Sequence, residues 1–268
     1  MVFPFDNFNL EDCLDFSGIK FLCEQSLYKK LDDIEGEKDL VWDQRLMSRF
    51  SLFTGQSVLK KEHRVRSMFE LGRSGWSISS PTSSHVVFIV IADQTAMNAI
   101  IKCMRAPKET DSRQFHLLLV PNTSVMCLKQ LKEARIYDYL QSVAEVSIDL
   151  YFLTRDVMSM EKPDVFKELY LFDDQSSLWS LTNGILQIES LFGTIPNIFY
   201  KGDCAQIMVN ILLKRRAEVK HKVSSPSQQS AIEALVVLDR SVDLLSPLIT
   251  QLTYEGLIDE LFKLNQSK

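Results

Sequence analysis

The sequence predicts an α/β protein: a parallel-sheet α/β/α first domain, followed by the helix-rich leading part of a second α/β domain that these residues leave incomplete. Runs such as HVVFIVIA (His85 to Ala92) and FHLLLVP (Phe115 to Pro121) are apolar on both alternating faces. Strands of that kind belong to parallel sheets covered by helices on both sides. Segments of helical periodicity separate them, and strand–helix alternation winds a parallel sheet through right-handed crossovers. After Arg155 the pattern changes to helices with hardly two strands, which sets a second domain apart.

Taken in order, Ile19, Leu22, Leu27, Leu31 and Ile34 follow helical spacing, and Gly36 supplies a C-terminal stop. DLVWD (Asp39 to Asp43) is a short apolar strand closed by an aspartate, and SIDLYFL (Ser147 to Leu153) repeats the theme of the two central runs. Helices are expected over Thr95 to Ala106 and Ser124 to Ile136, so that residues 1–154 form one domain. In residues 155–268, Leu178, Leu181, Ile185, Ile188 and Phe192 share one helical stripe, and Ile207, Met208, Ile211 and Leu212 another. The short strand NIFY (Asn197 to Tyr200) lies between them. Val219 to Ser230, serine-rich and broken by Pro226, reads as an exposed loop before the strand ALVVLD (Ala234 to Asp239). A strand so apolar calls for neighbours on both sides and helices on both faces, which the remaining residues do not supply. The polypeptide is therefore expected to be the front part of something longer.

The chain has 268 residues, 46% of them apolar and 24% charged, which is globular material rather than disorder. A net charge of −5 lacks the basic excess that nucleic-acid binding uses, so no nucleic-acid partner is expected. The five cysteines (Cys13, Cys23, Cys103, Cys127, Cys204) are scattered, without zinc-ligand spacing, and read as reduced core residues of a cytosolic protein. The N-terminus carries acids where a secretory signal carries cations. No apolar run approaches the roughly 20 residues of a membrane span, so membrane association is expected to be peripheral and through partners.

The richest stretch is LDRSVDLLSPL, Leu238 to Leu248. Asp239 ends a strand, where open α/β sheets hold ligands, and Asp243 follows four residues on. One reading is a metal-dependent hydrolase using both. The other is structural: Asp239 and Asp243 accept backbone N–H bonds, Arg240 pairs with one of them, and Ser246 with Pro247 caps and starts the next helix. Phosphate loops, G-x-G-x-x-G, H-E-x-x-H and G-x-S-x-G are all absent from the sequence. GRSG (Gly72 to Gly75) reads as a loop tip. His63, His85, His116 and His221 stand apart in sequence and read as structural, so no cofactor or metal is expected. Of the basic clusters KKEHRVR (Lys60 to Arg66) and KRRAEVKHK (Lys214 to Lys222), the second reads as a solvated helix end.

LDRSVDLLSPLITQLTYEGLIDELF resembles the signature of the SM (Sec/Munc) regulators of vesicle fusion, through Asp239, Arg240, Asp243, Ser246, Pro247, Leu252, Thr253 and Tyr254. FHLLLVP, SIDLYFLTRDVMSME and LFGTIPNIFYKGDCA look like the vacuolar protein sorting-associated protein 33 branch, A-type more than B-type. The resemblance runs from about Lys38 to Lys263. It implies an SM-type domain 1 over 1–154 and the first segment of domain 2 over 155–268. It also implies a non-enzymatic regulator of SNARE-mediated docking and fusion in endosome-to-lysosome or vacuole transport, cytoplasmic and peripheral to late endosome and lysosome membranes. Its implied partners are syntaxin-type SNAREs and, for the full-length protein, subunits of the class C vacuolar tethering complexes (HOPS/CORVET). It assigns no SNARE-contacting residue in this sequence.

Overall fold

The computed structural model describes residues 15–72, 83–105, 113–154, 156–222 and 230–262. They divide into two compact units. One spans Lys20–Tyr151, and the other comprises the chain from Phe152 onward with the described residues up to Ile19.

Helix α1 (Ser17–Asp32) buries Ile19, Cys23, Leu27 and Leu31. Their four-residue spacing lays one stripe along a helix. The seam runs through Cys23 rather than the expected Leu22, which is 38% exposed. Gly36, at φ +97°, turns the chain in a conformation that costs other residues energy. The first unit continues through β1 (Lys38–Asp43), α2 (Gln44–Phe50), α3 (Gln56–Glu62), β2 (Val65–Leu71) and β3 (His85–Ile91). Then follow α4 (Gln94–Arg105), β4 (Gln114–Val120), α5 (Val125–Glu133) and β5 (Leu140–Glu145).

The five strands are parallel, in the order β2-β1-β3-β4-β5. Strand order reverses between β1 and β3, the mark of a doubly wound sheet with a switch point there. All of β1 is buried, as are five consecutive residues of β3 and six of β4, which is the continuous burial of strands covered on both faces. Met97, Ile100 and Cys103 of α4 and Cys127 and Leu131 of α5 pack into this core.

The edges differ from expectation. β2 grows out of the stretch read only as a basic cluster, since Lys60 and Lys61 end α3 and Val65 begins the strand. The fifth strand is the more polar Leu140–Glu145, not Ser147 to Leu153. Ile148 and Leu150 are instead buried in an irregular connection, and Tyr151–Thr154 forms β6, paired with β7 (Val157–Ser159). Edge strands are half exposed, so their sequences carry little of the apolar signal that marks central ones.

The second unit contains α6 (Val165–Leu171), α7 (Ser176–Phe192), β8 (Asn197–Lys201), α8 (Asp203–Lys222), β9 (Ala234–Leu238) and α9 (Tyr254–Phe262). Leu178 and Ile185 of α7 meet Met208 and Leu212 of α8, with Ile198, Leu235 and Val237 packed against them. Phe16 stands edge-on to Phe192, ring centroids 5.4 Å apart. α8 runs to Lys222, so Val219 to Lys222 is helix rather than the expected loop, whose remainder to Gln229 lies outside the described residues. Nor is the basic end of α8 merely solvated. Arg216 pairs with Glu189 of α7, the two side chains 12% and 6% exposed, and Arg215 lies over the Trp179 ring at 4.5 Å.

β9 pairs in parallel with β8 and is not part of the five-stranded sheet. It was expected to be buried on both faces. Leu235 and Val237 do face the helices, but Val236 and Leu238 are 59% and 68% exposed. Among the described residues only β8 lines one of its edges, and helices cover only one of its faces.

Candidate functional site at the end of β9

Asp239, the last residue before the chain turns, is 8% exposed. One oxygen accepts the Ser241 backbone N–H at 3.0 Å and the Tyr170 hydroxyl; the other accepts the Cys204 backbone N–H at 2.9 Å. Burial works against ionisation, but these donors outweigh it and hold the carboxyl down to about 2. Burial, followed by the bond to Asp239, pushes the Tyr170 hydroxyl up to about 12. The carboxylate thereby joins α6, the start of α8 and the turn after β9. Gly202 makes this approach possible. Its φ is +100°, and a Cβ there would stand 2.3 Å from Cβ of Asp239. Only glycine fits.

Asp243 is exposed and organises the next turn. Its Oδ1 accepts the backbone N–H groups of Leu245 and Ser246 at 3.1 and 3.0 Å, and its Oδ2 accepts the Ser246 hydroxyl. The Ser246 bonds lower its pKa. Ser246 was expected to be the cap but is the first residue of the short 3-10 turn Ser246–Leu248. Leu245 stands at the cap position without a side-chain bond, and Asp243, two residues further back, takes the Ser246 N–H, with Pro247 in the first positions of the turn. Arg240 donates to the backbone carbonyl of Asp243 at 3.0 Å rather than to a carboxylate. Thr253 caps α9, its hydroxyl oxygen accepting the Gly256 N–H at 3.1 Å. Leu252 and Tyr254 are 95% and 82% exposed.

The two aspartates are held by separate sets of donors and share none of them. Among the described residues no three His, Cys, Asp or Glu side chains converge as metal ligands. What the segment offers is a surface: Leu244, Leu245, Leu248, Ile249, Leu261 and Phe262 are all exposed. An open groove of about 320 Å³ is lined by Phe166, Tyr170, Leu178, Met208, Val237 and Asp239. Tyr170, Gly202 and Cys204, which sequence reading missed, complete the Asp239 cluster. Gly202 just before a helix was the one local signal; Tyr170, 69 residues from Asp239, carries none.

The histidines, far apart in sequence, are partly gathered by the sheet. His85 Nδ1 lies 3.1 Å from His116 Nε2, and His116 Nδ1 lies 2.7 Å from the Ser142 hydroxyl. His63 stacks on Tyr28 and hydrogen-bonds Asp32 at 2.8 Å. The side chain of His221, most of GRSG, and Cys13 lie outside the described residues. Cys23, Cys103 and Cys127 are buried, Cys204, expected in the core, is only half-buried, and none of these four is in a disulfide. No described helix is long and apolar enough to cross a membrane.

A doubly wound parallel sheet, followed by a unit whose last strand is anchored through a carboxylate to the helices beside it, defines an α/β protein of two units. The chain belongs to the Sec1 family, whose pattern matches residues 38–268. Vacuolar protein sorting-associated protein 33A of Rattus norvegicus is 37% identical over 248 residues, covering 91% of this chain and 40% of that protein. The Drosophila melanogaster 33A protein is 31% identical over 257 residues, covering 91% of this chain and 39% of that protein. The 33B protein of Rattus norvegicus is 27% identical over 265 residues, covering 98% and 42%. The chain thus spans about two-fifths of the length of these curated relatives. Among solved structures, the SM protein Vps45 in complex with the Qa SNARE Tlg2 superposes with TM-score 0.63 at 19% identity, covering 94% of this chain and 44% of that one. The Unc18–syntaxin 1 complex from Monosiga brevicollis gives 0.64 at 17% identity, covering 90% and 43%. At these identities the likeness is one of fold.

Proposed function

We propose that this chain is a non-enzymatic regulator of SNARE-mediated vesicle docking and fusion in endosome-to-lysosome or vacuole transport. Sec1-family membership over residues 38–268, with 37% identity to a vacuolar sorting protein, is the observation that carries this reading. Its partners are syntaxin-type SNAREs, and as part of a longer protein it works with HOPS/CORVET tethering subunits at late endosome and lysosome membranes, held there through those partners. A protein of this kind acts as a template. It lowers the entropic cost of ordering disordered SNARE segments by offering them a preformed surface.

Residues 1–154 are then the first SM-type domain and 155–268 the leading segment of the second. The open edge and bare face of β9 support that division, since a strand so apolar is at home only inside a covered sheet. Asp239, Arg240, Asp243, Ser246, Pro247, Thr253 and Tyr254 serve the fold in this reading rather than a reaction: the two carboxylates order turns, and the exposed apolar side chains between and beyond them contact other protein surface.

The test is retention of the full chain on immobilised cytosolic domains of several syntaxin-type SNAREs, read by surface plasmon resonance. Binding to at least one, with Kd of about 10 μM or tighter, is expected for a specific transient interface. Signals no greater than those on an unrelated helical protein, across all the syntaxins, would overturn the proposal.

A further inference from the structure

The switch point of the five-stranded sheet lies between β1 and β3, and the carboxyl ends of those two strands are where open α/β sheets hold ligands. Each strand delivers an aspartate there. Asp43 is the last residue of β1, and Asp93 stands two residues beyond the end of β3. Two carboxylates facing one crevice repel each other unless a cation lies between them.

The cation is supplied by the chain itself. Arg45, in the first turn of α2, donates to Asp43 through its backbone N–H at 3.0 Å, through Nε at 3.0 Å and through Nη2 at 2.6 Å. Its Nη1 reaches Asp93 at 2.5 Å. Asp93 is fixed in turn, since its other oxygen accepts the Ala96 N–H at 2.8 Å and caps α4. The Asp43 side chain is 8% exposed and that of Asp93 32%. One planar guanidinium therefore fills the space between the two strand ends and forks onto the more buried carboxylate, the geometry in which arginine binds most strongly. The bonds to Asp43 raise the Arg45 pKa, so it stays charged at any working pH.

We infer that Arg45 is the built-in cation of this crevice: it ties the β1–α2 and β3–α4 turns together and keeps the aspartate pair from taking a divalent metal ion. The sheet retains the architecture of a ligand-binding switch point, with its ligand position occupied by the protein's own side chain. Arg45 is a positioning residue, acting through the two carboxylates.

The experiment uses the full chain with Mg²⁺ and Mn²⁺ as probes, in buffers matched for ionic strength. Wild type is expected to show no change in thermal midpoint and no heat of binding. Arg45→Met keeps the length of the side chain and removes its charge, exposing the pair. Its midpoint is expected to rise by about 3 °C in about 10 mM Mg²⁺, the shift that saturation of a weak millimolar site produces in a domain of this size. The double variant Arg45→Met/Asp93→Asn is expected to lose that response, and Arg45→Lys, which keeps a cation, never to gain it. Arg45→Gln repeats the metal arm with an amide that can still bond Asp43. If either neutral variant is unfolded alone, refolding on addition of Mg²⁺ supports the inference. Metal binding by wild type, or neutral variants that gain no response to either ion, would overturn it.

Discussion

His116 lies within the sheet, 4% exposed, between His85 on one side and Ser142 on the other. Burial first, then the neighbouring His85 and Lys38, push its pKa down to about 4, from an ordinary 6.5. The sign follows from linkage. The unfolded chain takes up a proton at the ordinary pKa and the folded chain only at the depressed one, so protons favour unfolding between the two values. The stability held by the neutral ring is complete above about pH 6.5 and drains away as the pH falls towards about 4. In urea titrations followed by tryptophan fluorescence, the unfolding midpoint should fall across that window. His116→Gln should flatten the fall, because glutamine hydrogen-bonds but does not titrate there. An equally steep fall in the variant would mean that other groups carry the dependence.

At the scale of elements, β9 departs furthest from what its residues call for. Ala-Leu-Val-Val-Leu has high strand propensity and no charge, proline or glycine, and Val236 and Leu238 stand in solvent beside an edge that no described strand lines. Such an edge pairs readily with other chains. The full chain should accordingly self-associate as its concentration rises, and Val236→Lys should shift the weight-average mass in sedimentation back towards monomer. Because that side chain is already exposed, its replacement should change stability by no more than about 0.5 kcal/mol. Self-association unaltered by the lysine would place the sticky surface elsewhere, with the exposed leucines of the following segment the next to vary.

For the whole molecule, the question is whether the first unit folds by itself. Its residues, Lys20–Tyr151, include a complete five-stranded sheet and a core in which Val86, Phe88, Val90, Met97 and Leu117 are fully buried. Isolated residues 1–154 should therefore unfold in one cooperative transition, with Trp42, 3% exposed, a reporter inside the core. A gradual, non-cooperative loss of signal would show that the proposed domain division is wrong.

The amino-acid sequence by itself determined the class of fold and the family. The central strands β1, β3 and β4 are buried on both faces, so nearly every residue in them is apolar and the signal is local. The stretch from Asp239 to Tyr254 carries a spacing of residue types that is legible without coordinates, and the Sec1 match extends across it. Tertiary structure alone decided the rest. The edge strands β2 and β5 are half exposed, and so mixed in composition that only pairing with a neighbour defines them. Asp239 meets Tyr170 across 69 residues and Cys204 across 35, and Arg45 meets Asp93 across 48. Periodicity reports how a residue relates to its own helix or strand; which distant partner a charge will find depends on how those elements pack, and no local pattern records that.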